Sequence, residues 1–160
     1  MLWKLSELQP IITSAIPGDT VPAVFWNAVQ ARGDKIALRQ KHLGIWREVT
    51  WREFGAAVRE TAMGLAALGL QPGDVVSILS NTRKEWLFPD LGALCSGLVT
   101  SGIYPTDAAA QCEYLCSDSR TRMVFVEDDE QLDKILEIRN RLPALTKIVI
   151  IDLDGLGRFS

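Results

Sequence analysis

At 160 residues the chain is long enough to bury a real core, and with 48% hydrophobic and 23% charged residues it falls outside the composition of a disordered segment. Seventeen Lys and Arg against twenty Asp and Glu give a net charge of -3, with the two signs interspersed over the chain as a whole, which argues against the extended basic surface that nucleic-acid binding requires. Three cysteines, an odd number, and no secretory leader in MLWKLSELQPII point to reduced thiols and a cytoplasmic location.

Residues 1–19 read as a tail. Lys4, Glu7 and Pro10 interrupt its apolar run, leaving at most a short amphipathic element able to touch a membrane surface peripherally. Thr20 is placed to cap a first helix, with Pro22 in its opening turn and Val21, Val24, Phe25, Ala28 and Val29 on one face. Gly33-Asp34 ends it. KIALRQK and IWREVT then form two β-like runs around His42-Leu43-Gly44, a hairpin in which glycine supplies the turn.

Thr50 and Glu53 have the spacing of a capping box, in which each side chain satisfies a free backbone N–H at a helix start. Behind them Phe54, Val58, Thr61, Leu65 and Leu68 recur at helical spacing, and alanines and Gly64 keep the other surfaces thin. Gly69 suits a helix end, and Pro72-Gly73 a tight turn that delivers the chain into the strand VVSIL.

Asn81 or Thr82 is expected to open an apolar helix through Leu94, followed by a strand from Leu98 to Tyr104. The stretch Trp86 to Pro105 approaches the ~20 residues of a membrane span, but Pro89, Asp90 and three glycines favour a buried helix and strand. Thr106 or Asp107 then caps a helix through Cys116. Arg122 to Val126 is a strand, Asp129 to Leu142 a charged amphipathic helix, and Lys147 to Ile151 a last buried strand. Alternation with short connectors predicts an α/β fold: a doubly wound, mainly parallel sheet with helices on both faces and a small N-terminal hairpin.

Candidate chemistry is sparse. Cys112 and Cys116 share a helix face, but zinc ordinarily takes four ligands, and only His42 and Cys95 remain to supply them. Their spacing is not that of a redox Cys-x-x-Cys pair either, so packing is the expected role. Gly69 to Asp74 precedes a strand instead of opening a helix, the reverse of a phosphate loop. Asp152-Leu153-Asp154-Gly155 lacks the further acids of a calcium loop. The run Glu127-Asp128-Asp129-Glu130 reads as a solvated cap at a helix start, where acids complement the dipole. More suggestive is Ser80 to Trp86, at the carboxyl end of a strand, where open α/β sheets place ligands and where Arg83 and Lys84 could meet an anion.

Four blocks in order, WREVTWREF, AALGLQPGDVVSILSNTRKEW, GLVTSGIYPT and QCEYLCSDSRTRMVFVED, resemble the N-terminal region of AMP-forming acyl-CoA synthetases. The Tyr-Pro-Thr at 104–106 is most similar to the long-chain fatty-acid–CoA ligase branch. The resemblance implies a two-step reaction in which a fatty acid carboxylate attacks the α-phosphate of Mg-ATP, giving an acyl-adenylate and pyrophosphate, and the CoA thiol then displaces AMP. Mg-ATP and CoA are thereby implied as substrates of the full-length enzyme, with no cofactor held by this chain. No run in the 160 residues resembles the family's phosphate loop, its adenine- and ribose-binding motifs or its C-terminal lysine, so no catalytic, cofactor-binding or metal residue is assigned.

The resulting expectation is a tail at 1–19, part of a ligase domain at 20–152 and a truncated end at 153–160, inactive alone. Its partners are the remainder of the ligase and, through it, fatty acid, ATP and CoA. Apolar surface left uncovered should drive self-association. The alternative is a non-catalytic doubly wound binding or interaction domain; a thiol-redox module would require a Cys112–Cys116 disulfide.

Overall fold

The computed structural model describes residues 18–154; residues 1–17, most of the stretch expected to be a tail, and the end of the chain from Gly155 lie outside the described residues. The chain divides into two units between Ala57 and Val58.

In the first unit, helix α1 (Val21–Arg32) starts where Thr20 Oγ1 accepts the Ala23 N–H at 3.2 Å, with Pro22 in the first turn. It ends at Gly33, whose φ of +47° suits glycine and whose N–H reaches the Val29 carbonyl at 3.0 Å. Its buried stripe is narrower than expected: Phe25 and Ala28 are buried, whereas Val21 and Val24 stay exposed. Phe25 packs edge-on against Trp26 and Phe54, at 5.2 and 5.0 Å between ring centroids, and the Arg32 guanidinium lies 5.2 Å from the Trp51 ring centre.

Strands β1 (Ile36–His42) and β2 (Ile45–Thr50) pair antiparallel, with an irregularity between Ile36 and Leu38. His42 ends β1, and the turn is the two residues Leu43 and Gly44, with φ of +48° and +80°. Positive φ at both is what a type I′ turn demands, because only that twist matches the strands. The capping box forms: Thr50 Oγ1 accepts the Glu53 N–H at 3.2 Å, and Glu53 Oε2 accepts the Thr50 N–H at 2.8 Å. It starts α2 (Trp51–Ala67).

In the second unit, α2 ends at Gly69, φ +88°, with the Leu70 N–H returning to the Leu65 carbonyl at 3.3 Å. Gly73, φ +90°, completes the turn after Pro72. Then follow β3 (Val75–Leu79), α3 (Lys84–Cys95), β4 (Val99–Ile103), α4 (Ala109–Asp118), β5 (Met123–Val126), α5 (Asp129–Ile138), a 3-10 turn (Arg139–Arg141) and β6 (Lys147–Ile150). The four strands are parallel in the order β4-β3-β5-β6.

Strand alternation sorts the core into two layers. Leu79, Val124 and Val126 pack with Ile103, Cys112, Cys116, Ile135 and Ile138, placing α4 and α5 on one face. Val76 and Met123 pack with Leu65, Leu70, Ala93 and Leu98, placing the end of α2 and α3 on the other. A Cβ on Gly92 would stand 3.0 Å from Thr61 Cβ and Cγ2, so glycine is what lets α3 approach α2 this closely. The fold is the expected doubly wound α/β arrangement with its hairpin.

Local expectations needed three corrections. α3 starts at Lys84 with Arg83 as an N-cap lacking a side-chain bond, because Asn81 is engaged elsewhere. α4 starts at Ala109, since the Asp107 N–H closes a turn onto Tyr104 and leaves uncapped Ala108 at the boundary. β6 is half-buried along its length, consistent with its place at the sheet edge. Among the described residues no helix is long and apolar enough to cross a membrane.

Candidate functional site

The strand order fixes where a ligand crevice should open. From β3 the chain moves to β4 on one side, then crosses to β5 on the other, so the topological switch lies beyond the carboxyl ends of β3 and β5. Ser80 and Asn81 follow β3, and Glu127 follows β5.

That crevice is filled by the protein's own carboxylate. Glu127 Oε2 accepts the Asn81 backbone N–H at 2.6 Å, Asn81 Nδ2 at 2.9 Å and Ser80 Oγ at 3.3 Å, while Arg83 Nη1 donates to Oε1 at 3.3 Å. Arg83 Nε also donates to Glu85 at 2.8 Å, and its Nη1 stands 3.6 Å from Asp152. Burial pushes the Glu127 carboxyl up, but the Asn81 donors, Arg83 and Ser80 outweigh it and hold it below the usual carboxylate range. For Glu85 too, burial is outweighed by Arg83, and the shift is downward.

The acidic run is therefore not a uniform solvated cap. Asp128 caps α5, its Oδ1 accepting the Gln131 N–H at 3.1 Å, and Asp129 and Glu130 sit in the first turn. Glu127 turns the other way, with its side chain only 14% exposed. Arg83, read from sequence as an anion contact, meets an internal anion. No local signal marks Glu127, whose partners lie 44 to 47 positions away.

Beside this network, at the carboxyl ends of β3 and β4, is a cavity of about 330 Å³ lined by Ser80, Asn81, Thr82, Trp86, Gly102, Ile103, Tyr104 and Pro105. It joins the stretch singled out as a ligand edge to the Gly102–Pro105 block. Gly102 lies beside the Trp86 indole, and a Cβ there would stand in ordinary contact with Cζ2 at 3.5 Å. None of the lining side chains is charged. Nor does any group of three or more His, Cys, Asp or Glu able to hold a metal occur among the described residues. The lining offers hydroxyl, amide and indole donors but no cation and no carboxylate.

Cys112 and Cys116 are buried in the layer between the sheet and α4, at 0% and 2% exposure. Burial pushes both thiols up, away from thiolate reactivity. Near them runs a hydroxyl chain that sequence reasoning missed: Ser77 to Thr121 at 2.6 Å, Thr121 to Ser119 at 2.8 Å, and Ser119 to the Leu115 carbonyl at 2.7 Å. It satisfies polar groups inside the core.

The profile of the family described as AMP-binding enzyme matches residues 25–159. The chain belongs to the AMP-binding enzyme family. It is similar to long-chain-fatty-acid–CoA ligase ACSBG1 of Bos taurus, 34% identical over 131 residues, which are 82% of this chain and 18% of that protein. It is also similar to long-chain-fatty-acid–CoA ligase FadD15 of Mycobacterium bovis, 34% identical over 137 residues, 86% of this chain and 23% of that protein. Among solved structures, the anthranilate CoA ligase AuaEII in complex with anthranoyl-AMP superposes with a TM-score of 0.77 at 28% identity, over 87% of this chain and 26% of that one. The chain spans about a fifth of the length of the curated relatives it matches.

Proposed function

We propose that this chain is the amino-terminal part of a long-chain fatty-acid–CoA ligase, in which it forms scaffold and supplies no group to adenylation or thioester formation. The observation that carries the reading is the match over more than four-fifths of the chain to two such ligases of which it covers only about a fifth. The inward-turned Glu127 and the uncharged cavity support it, since neither presents a free cation to a triphosphate. The domain limits at 20–152, a cytoplasmic location and self-association belong to the same proposal. Incubated with Mg-ATP, CoA and palmitate, the 160-residue chain should form no palmitoyl-CoA; robust formation would sink the reading.

The cavity at Ser80–Pro105 favours a second reading, a related domain that binds without chemistry, because its size falls within the range of small-molecule sites. Calorimetric titration with ATP, CoA and fatty acid separates the two. Micromolar binding by this chain alone selects the second.

A further inference from the structure

The hairpin carries a feature that the fold does not require. From Lys41 to Glu48 every residue is exposed, so no side chain of the β1–β2 tip is buried. At this tip stand Leu43, Ile45 and Trp46, exposed by 89%, 61% and 62%. Leu43 moreover occupies a position with φ +48° that Asn, Asp or Gly would fill without strain. An apolar residue at a left-handed turn position, with two more beside it, costs solubility and turn stability without entering the core of the described residues.

The charges around the tip say what would cover it. Lys35, Arg39, Lys41 and Arg47 lie in this stretch with no acidic residue between Lys35 and Arg47, in a chain whose net charge is -3. Lys41 faces Trp46 across the strands, and Arg47 faces Gln40. Arg39 is paired with Glu48 at 2.9 Å, but Lys41 and Arg47 have no ion-pair partner among the described residues. An apolar wedge ending in tryptophan and ringed by unpaired cations is the chemistry of an interfacial anchor: the indole and aliphatic groups enter the acyl boundary while the cations meet anionic headgroups. An acidic protein partner would satisfy Lys41 and Arg47 but would leave Leu43 at the apex with nothing apolar to enter.

We propose that the β1–β2 hairpin tip, through Leu43, Ile45, Trp46, Lys41 and Arg47, docks this protein on anionic lipid surfaces. The proposal does not depend on the ligase reading and assigns the membrane contact to the hairpin, not to residues 1–19.

The test is co-sedimentation of the 160-residue chain with phosphatidylcholine vesicles and with phosphatidylcholine–phosphatidylserine vesicles. Binding is expected only to the second and should weaken with salt. Lys41→Glu with Arg47→Glu should lower partitioning by at least about 25-fold, at roughly fivefold per cation. Leu43→Ser with Trp46→Ser should abolish binding while leaving the thermal melt in place, because the tip lies outside the core. Quenching by brominated lipid should fall in Trp46→Phe. No binding to the anionic vesicles, or binding that both double variants keep, overturns the proposal. So does retention on polyglutamate that matches vesicle binding and survives loss of Leu43 and Trp46, which would mark a purely electrostatic protein-binding surface.

Discussion

Glu127, just past β5, accepts both the backbone N–H of Asn81 at 2.6 Å and its side-chain amide at 2.9 Å, joining the ends of the two central strands. A carboxylate thus stands where doubly wound sheets commonly receive a ligand, gathering donors that would otherwise face one. Through Arg83 the same group approaches Asp152, beyond the end of β6. The loops at this edge are held by charge-assisted bonds among partly buried groups, the setting in which such bonds are strongest.

Glu127→Gln should therefore destabilise the chain by about 2 kcal/mol at neutral pH, since the donors remain while the charge they converge on is lost. The folded-state pKa of Glu127 lies below its ordinary value, so its contribution is present above the unfolded glutamate range and lost as pH falls through the folded value. The wild-type advantage over Glu127→Gln in urea unfolding should accordingly shrink below about pH 4. A penalty that stays constant down to pH 3 would count against a charged Glu127.

Gly92→Val places a Cβ 3.0 Å from Thr61 Cβ and Cγ2 and 3.2 Å from the Ala62 backbone nitrogen, with no flexible side-chain end to move aside. The expected loss is roughly 1–3 kcal/mol, measured by chemical denaturation. Thr61→Ala should recover part of it, because it removes Cγ2, one of the two atoms nearest the added Cβ. Equal stability of Gly92→Val and wild type would contradict the close approach of α2 and α3.

The three cysteines differ in access. Cys95 is half-buried and Cys112 and Cys116 are fully buried with raised thiol pKa values. Native titration with an aromatic disulfide reagent at pH 8 should modify Cys95 before the other two, and denaturation should release three free thiols. A Cys112–Cys116 disulfide after mild oxidation, seen as a two-dalton mass loss (two hydrogens), would revive the redox reading that burial disfavours.

Leu43→Asn should stabilise the hairpin by about 0.5–1 kcal/mol, because asparagine tolerates the φ of +48° that leucine adopts under strain. The same change should weaken vesicle binding. A variant that is more stable and binds lipid less well separates a retained functional residue from an accident of sequence. Unchanged stability would argue against strain at this turn.

Elements with local signals were readable in the sequence. The Thr50–Glu53 box, the Gly69 helix end and the Pro72-Gly73 turn each act within a few residues, and all three form as expected. The starts of α3 and α4 were not readable, because a distant partner takes the Asn81 side chain and a backbone turn precedes α4. Asn81 bonds Glu127 from 46 positions away, and Asp107 closes a turn on Tyr104. The same distance hides the site: Ser80–Trp86 could be marked as a ligand edge, but not that Glu127 would fill the crevice beside it. Leu43 was likewise invisible, since glycine alone accounts for a turn until both φ values are known.

The ligase reading is tested most directly by exchange. Residues 20–152 would replace the matching stretch of the Mycobacterium bovis relative FadD15, and palmitoyl-CoA formation would be measured with Mg-ATP, CoA and palmitate. If this chain is the amino-terminal scaffold of such a ligase, the chimera forms palmitoyl-CoA while the 160-residue chain alone forms none. A chimera that folds and binds ATP yet makes no palmitoyl-CoA would contradict it.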